Sequence, residues 1–193
     1  TNLFNNIYGE GAGVVVEEQF VADEYRIVAT RSDALAVIRR IPANIIGDGH
    51  RTISELIIQK NSDPRRSDNE MDPLVKIKID DVVLSELARQ QLTLNSIIKD
   101  GLTIYLRSNS NISTGGDSID MTDIAHTSVK ELAVKAMQAI PGLAFAGIDF
   151  MSTDITSMQT DSSYKIIEIN KSPGFDIHEM PYEGKSRPVS KAL

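Results

Sequence analysis

Two carboxylates and one amide are the residues of this chain best placed to do chemistry. Asp149 lies in "LAFAGIDFM", and Glu168 and Asn170 lie in "SYKIIEIN". Residues i and i+2 of a strand share a face, so Glu168 and Asn170 point the same way. The polar tip between the two segments centres near Ser157 and Met158. Antiparallel pairing about that tip sets Asp149 opposite Glu168. Carboxylates this close repel unless a cation lies between them, and a hard all-oxygen donor set selects Mg²⁺ or Mn²⁺. The competing reading is a solvated strand end whose acids keep an edge soluble. Asp149 interrupts an apolar run, which weighs against that reading.

The elements that must position these residues alternate between strand and helix. "GVVVEEQF" reads as a β-branched strand ending in paired acids, and "EYRIVAT" and "LAVIRRIP" flank "RSDA" as a hairpin. "ANIIGDGHR" reads as a loop, because Gly47-Asp48-Gly49 demands turn geometry. Thr52 and Glu55 form a capping box ahead of Ile53, Leu56 and Ile57. Residues 59–73 read as a polar, mobile loop, and a second helix follows Asp81 with Val83, Leu84, Leu87, Ala88 and Leu92 inward. "LTIYLR" is a strand running into a long polar loop, and a third helix covers about 123–139. The expected fold class is α+β, a mainly antiparallel sheet with packed helices.

Composition limits the partners. The 193 residues hold 41% hydrophobic and 24% charged side chains, enough for a true core. A formal net charge of -7 argues against nucleic acid or an anionic membrane as the main partner. No cysteine is present, so disulfides and thiolate metal sites are excluded, and a cytoplasmic location is the expectation. No apolar run approaches the roughly 20 residues of a membrane span. His50, His126 and His178 are too scattered for a metal triad; His126 reads as surface or packing, and His178 as a loose candidate for substrate contact.

Several spaced motifs together carry a family resemblance. "GIDF" followed by "IIEINKSPG" resembles the metal-binding end of the ATP-grasp carboxylate–amine ligases. "VVVEEQFVADEYRIV" resembles their adenine-receiving hinge strand. "AVIRRIPANIIGDGHRTISELI", "LRSNSNISTGGDSIDMTD" and "MPYEGKSRPVSKAL" resemble the branch that holds cyanophycin synthetase and the bifunctional glutamate–cysteine ligase/glutathione synthetase, the last motif favouring the latter. The resemblance implies that Asp149, Glu168 and Asn170 hold two Mg²⁺ (or Mn²⁺) ions against ATP. One of Glu17 and Glu18 would lie near the adenine amine. Gln19 and Phe20 would contact the base, and Glu24 the ribose.

Alternation along a strand lets only one of Arg39 and Arg40 face the site. Arginine there suits a nucleotide phosphate, assigned to Arg39, or a substrate carboxylate, assigned to Arg40. Arg107 and Asn111, with Gly115 and Gly116 lending backbone N–H groups, would cradle the transferred phosphoryl group. A lone Gly-Gly is equally a plain turn. Ser172, Pro173 and Gly174 would meet the substrate.

The implied reaction is attack of a substrate carboxylate on the γ-phosphate, giving an acyl phosphate that an amine then opens. In the favoured branch the acceptor is γ-glutamylcysteine and the amine glycine, so the partners are a dipeptide carboxylate and an amino acid. A cyanophycin-type ligase, or an ATP-grasp module that binds nucleotide without turnover, are the other readings. Residues 1–193 are expected to be the C-terminal part of an ATP-grasp domain, silent without the lysine-bearing part and the rest of its own polypeptide.

Overall fold

The structure, a computed structural model, describes residues 18–193. Its main body is a five-stranded antiparallel sheet in the order β5-β2-β1-β6-β7. The strands are β1 (Asp23–Thr30), β2 (Ala34–Ile41), β5 (Asp117–Asp120), β6 (Phe145–Ser152) and β7 (Tyr164–Asn170). β1 and β2 form the hairpin that "RSDA" announces, and β6 pairs with both β1 and β7.

Alternation in the central strands builds two different faces. Tyr25, Ile27 and Ala29 of β1 and Ile148 and Phe150 of β6 turn to one side. There Val129, Ala133 and Met137 of helix α3 (Thr127–Gln138) close a dry core. His126, not a residue near Asp123, caps α3, its ring accepting the Ser128 N–H. The other face carries Glu24, Arg26, Arg40, Asp149 and Glu168. The C-terminal segment folds over one part of it, with α4 (Asp176–Glu179) and α5 (Val189–Ala192). Phe175 and Val189 pack there on Val28 and Ala36. Arg187 ties this segment down through Asp120 at 2.6 Å and Asp123 at 2.9 Å.

A smaller lobe fills the chain between β2 and β5. It contains β3 (Asn44–Ile46) paired with β4 (Thr103–Tyr105), plus helices α1 (Ile53–Asn61) and α2 (Asp81–Arg89). Its core gathers Ile45, Ile53, Leu56, Ile57, Val83, Leu87 and Leu106. The Thr52–Glu55 capping box forms as expected. Several expectations need correction. "NII" is a strand, although its loop-like surroundings hid it. Part of the supposed polar loop, "DSID", is the edge strand β5. The segment 59–73 begins as the last turn of α1 and buries Arg66. On α2, Leu84 is exposed, and only Val83 and Leu87 are buried.

Candidate functional site

One cross-strand row crosses the open face. In register it reads Asp120, Ile38, Arg26, Asp149, Glu168 across β5, β2, β1, β6 and β7. The pairing of Asp149 with Glu168 is the one the spacing predicts, and Asn170 follows opposite Gly147. A bulge beside this pair sets Phe150 opposite Ile166 and leaves Ile167 as the extra residue. Phe150 thereby stays in the core, while Ile167 joins Glu168 at the edge of a cavity.

Opposite charges interleave along this face. Asp149 is held between two arginines, bonded by Nε of Arg26 and by Arg40 at 3.2 Å. Arg40 also reaches Glu24 at 3.4 Å, and the Ser110 hydroxyl donates to the same Glu24 carboxylate. Glu24, Arg40, Asp149, Phe150, Met151, Ile167 and Glu168 line a cavity of about 270 Å³. A second cavity, of about 360 Å³, adjoins it through Met151 and Ile167 and is otherwise lined by Glu18, Phe20, Lys165 and Ile166. The first is charged, and the second sets the apolar Phe20, Met151, Ile166 and Ile167 beside Glu18 and Lys165, with the Lys165 ammonium 5.7 Å from the Phe20 ring.

The donor set fits a hard divalent cation. Asp149, Glu168 and Asn170 offer oxygen alone, and Glu168 makes no hydrogen bond or ion pair among the described residues. No group of three or more acidic or imidazole side chains encloses an ion site among those residues, so the Asn170 amide would be needed as third donor. Its Oδ1 accepts the Ser172 N–H at 2.9 Å, which bends the chain into Pro173. Pro173 then seats against Gly147, where an added Cβ would lie 2.7 Å from the proline Cβ and 3.1 Å from Cδ of Arg26.

Other expected residues fall elsewhere. Arg39 turns to the opposite face from Asp149 and pairs with Asp23 at 2.7 Å, so of the two arginines it is Arg40 that faces Asp149 and lines the cavity. Arg107 is buried in the smaller lobe and binds Asp80, the N-cap of α2. Gly115 and Gly116 do not form an open anion cradle. Gly115 caps a short 3₁₀ turn with φ of 98° and packs on Ile77, and Gly116 abuts the Ile41 carbonyl. Asn111 is exposed beside them, and the loop reaches the cavity through Ser110 instead. Ser172 and Gly174 are exposed, whereas Pro173 is buried. Gln19 is exposed on the stretch leading to Phe20, and Glu17 lies outside the described residues. His178 is fully buried. Sequence reasoning missed Arg26 and Ser110. Arg26 interrupts "YRIVAT" as Asp149 interrupts its own apolar run, and that signal was available.

Comparison with known proteins agrees with the fold. No family model matches the chain. The glutathione biosynthesis bifunctional protein GshAB of Clostridium perfringens is 40% identical over 186 residues, covering 96% of this chain and 24% of that protein. Cyanophycin synthetase of Crocosphaera subtropica is 40% identical over 177 residues, covering 92% of this chain and 20% of that protein. The crystal structure of a bifunctional glutathione synthetase from Pasteurella multocida superposes with a TM-score of 0.80 at 41% identity, covering 91% of this chain and 24% of that one. The fold is accordingly that of part of an ATP-grasp ligase. The chain is a homologue of the bifunctional glutathione-biosynthesis proteins and the cyanophycin synthetases over nearly all its length, and it spans 20% to 24% of the length of these curated relatives. Among the described residues no helix is long and apolar enough to cross a membrane.

Proposed function

We propose that this chain supplies the metal-binding and nucleotide-hinge side of an ATP-dependent carboxylate–amine ligase. The observation that carries the reading is the register of Asp149 with Glu168 at the mouth of a charged cavity that adjoins one walled in part by Phe20, Met151 and Ile167. Asp149, Glu168 and Asn170 hold two Mg²⁺ or Mn²⁺ ions, which supply charge compensation for the ATP phosphates. Phe20, Met151 and Ile167 receive the base, and Glu18 lies at the rim of that cavity. Glu24 accepts from ribose hydroxyls, because its carboxylate already takes a hydroxyl donor in Ser110. Arg40 offers its guanidinium to a phosphate or a substrate carboxylate, the bidentate match that arginine makes best. The Ser172–Gly174 turn lies beside Asn170, where the acceptor end of the substrate would come.

The complete protein would join γ-glutamylcysteine to glycine through an acyl phosphate, in the cytoplasm. A cyanophycin-type acceptor stays as second reading, because identity to the cyanophycin synthetase is equally high. Titration of this chain with Mg²⁺ and a non-hydrolysable ATP analogue tests the site. The expected result is weak, Mg²⁺-dependent binding that Glu168→Gln abolishes; nucleotide binding indifferent to both Mg²⁺ and Glu168 overturns the assignment. Phosphate release by the longer protein separates the acceptors, with γ-glutamylcysteine plus glycine set against an aspartyl peptide plus arginine.

A further inference from the structure

His178 is the least explained side chain in the structure. It is fully buried, and neither ring nitrogen has a hydrogen-bond partner among the described residues. A buried polar group left unpaired costs on the order of 1–3 kcal/mol, so a fold keeps one only for a reason. Its place suggests the reason. α4 packs on β2 and β5, and the His178 carbonyl accepts the N–H of Arg187, whose guanidinium sits on Asp120. Asp120, Ile38 and Arg26 are consecutive members of the cross-strand row. α4 therefore lies over the Asp120 end of that row, and the Arg26 charge is near enough to the His178 ring to act on it.

Arg26 is the complementary anomaly. Its Nε is bonded to Asp149, yet its two terminal nitrogens bond to nothing among the described residues, although the side chain is only 14% exposed. Unused donors at the margin of solvent and a buried, unpaired imidazole thus lie on the same face of the sheet. Burial, with the Arg26 charge adding to it, pushes the His178 pKa down to about 4, so at neutral pH one ring nitrogen is a free acceptor.

We infer that His178 is a positioning residue for Arg26: its unpartnered ring nitrogen receives the Arg26 guanidinium when Asp149 turns from that arginine to a divalent cation. This rests on the metal reading of Asp149. Without such an acceptor, cation binding would strand a partly buried guanidinium whose only anion had been taken. With it, the arginine changes partner and stays on the same face. The unpaired imidazole is thus the cost of the cation-free state, and the cation-bound state recovers it.

The test compares the whole chain with His178→Leu and His178→Gln. Mg²⁺ affinity is measured by calorimetry, and thermal stability is measured in chelator. The expected result for His178→Leu is at least a tenfold loss of Mg²⁺ affinity with stability in chelator equal to or above that of the parent chain. His178→Gln, which keeps an acceptor, should recover most of the affinity. In ¹⁵N spectra of the parent chain, the unprotonated nitrogen of His178 should shift on addition of Mg²⁺. A structural role alone would instead lower stability in chelator and leave Mg²⁺ affinity unchanged in both variants. A parent chain that binds Mg²⁺ while His178→Leu binds it equally overturns the inference alone. A parent chain that binds no Mg²⁺ overturns the metal site and the inference with it.

Discussion

Replacing Asp117 by Asn should destabilise the protein by about 3–5 kcal/mol, the usual result of removing one partner from a buried ion pair. Asp117 sits on β5 with its side chain 6% exposed. One carboxylate oxygen accepts from Arg66, and the other accepts from Lys60 at 2.6 Å and Asn44 at 2.9 Å. The Arg66 side chain is wholly buried, and burial pushes the Lys60 pKa below its usual value against the opposing pull of Asp117. Two cations therefore share one anion, and the substitution would offer them a neutral amide whose NH₂ also faces donors. The Tyr182 ring, 5.3 Å from Arg66 and 5.7 Å from Lys60, softens the loss only by about 0.5–2 kcal/mol per contact. For a chain of this size the melting temperature should fall by roughly 10 °C. Urea unfolding followed by circular dichroism measures the loss directly. Adding Lys60→Met should recover part of it, since one stranded charge goes and its aliphatic stem stays. A loss below about 1 kcal/mol, or further destabilisation by the second change, would refute the buried-pair argument.

Arg107→Ala should cost about 2 kcal/mol in urea unfolding, because it removes the charged partner of the α2 N-cap Asp80; unchanged stability with lost turnover in the complete protein would return Arg107 to the chemistry. Gly147→Ala should cost about 1–3 kcal/mol and weaken Mg²⁺ binding together, since the new methyl strikes Pro173 and Arg26 at once; a thermal melt and a Mg²⁺ titration read the two effects. Stability should fall as pH drops from about 6.5 to about 4, by up to about 3 kcal/mol. The unfolded chain takes up a proton at His178 in this window while the folded chain refuses it, because burial and Arg26 outweigh Asp120 and Glu179. In His178→Gln that part of the acid slope should vanish, and a slope identical to the parent's would contradict it.

Long, periodic elements were legible in the sequence, and so was the register of β6 with β7. The hairpin β1–β2, the capping box of α1 and the apolar stripe of α3 each follow from spacing that local physics enforces. Short polar strands were not legible. β5 holds Asp117, Ser118 and Asp120, whose burial is made possible by Lys60, Arg66 and Arg187, partners distant in sequence. The paired glycines invited an anion-cradle reading because the close approach of Ile77 and of the Ile41 carbonyl is invisible in one dimension. Arg40 rather than Arg39 faces Asp149 because strand parity decides between adjacent residues, and parity needs the register.

The row that joins Arg26 to Asp149 also sets a timetable. β1 lies in the middle of the sheet, yet its second neighbour β6 is synthesised about 115 residues later, which at ribosomal speeds of roughly 5–20 residues per second means on the order of ten seconds. Through that interval the hairpin β1–β2 has one long edge of unpaired backbone, with Ile27 and Val28 uncovered. Such an edge recruits strands from other chains. Slow translation or crowded polysomes should therefore push this protein towards aggregation, and a chaperone that shields the nascent hairpin should raise its yield more than one acting after release.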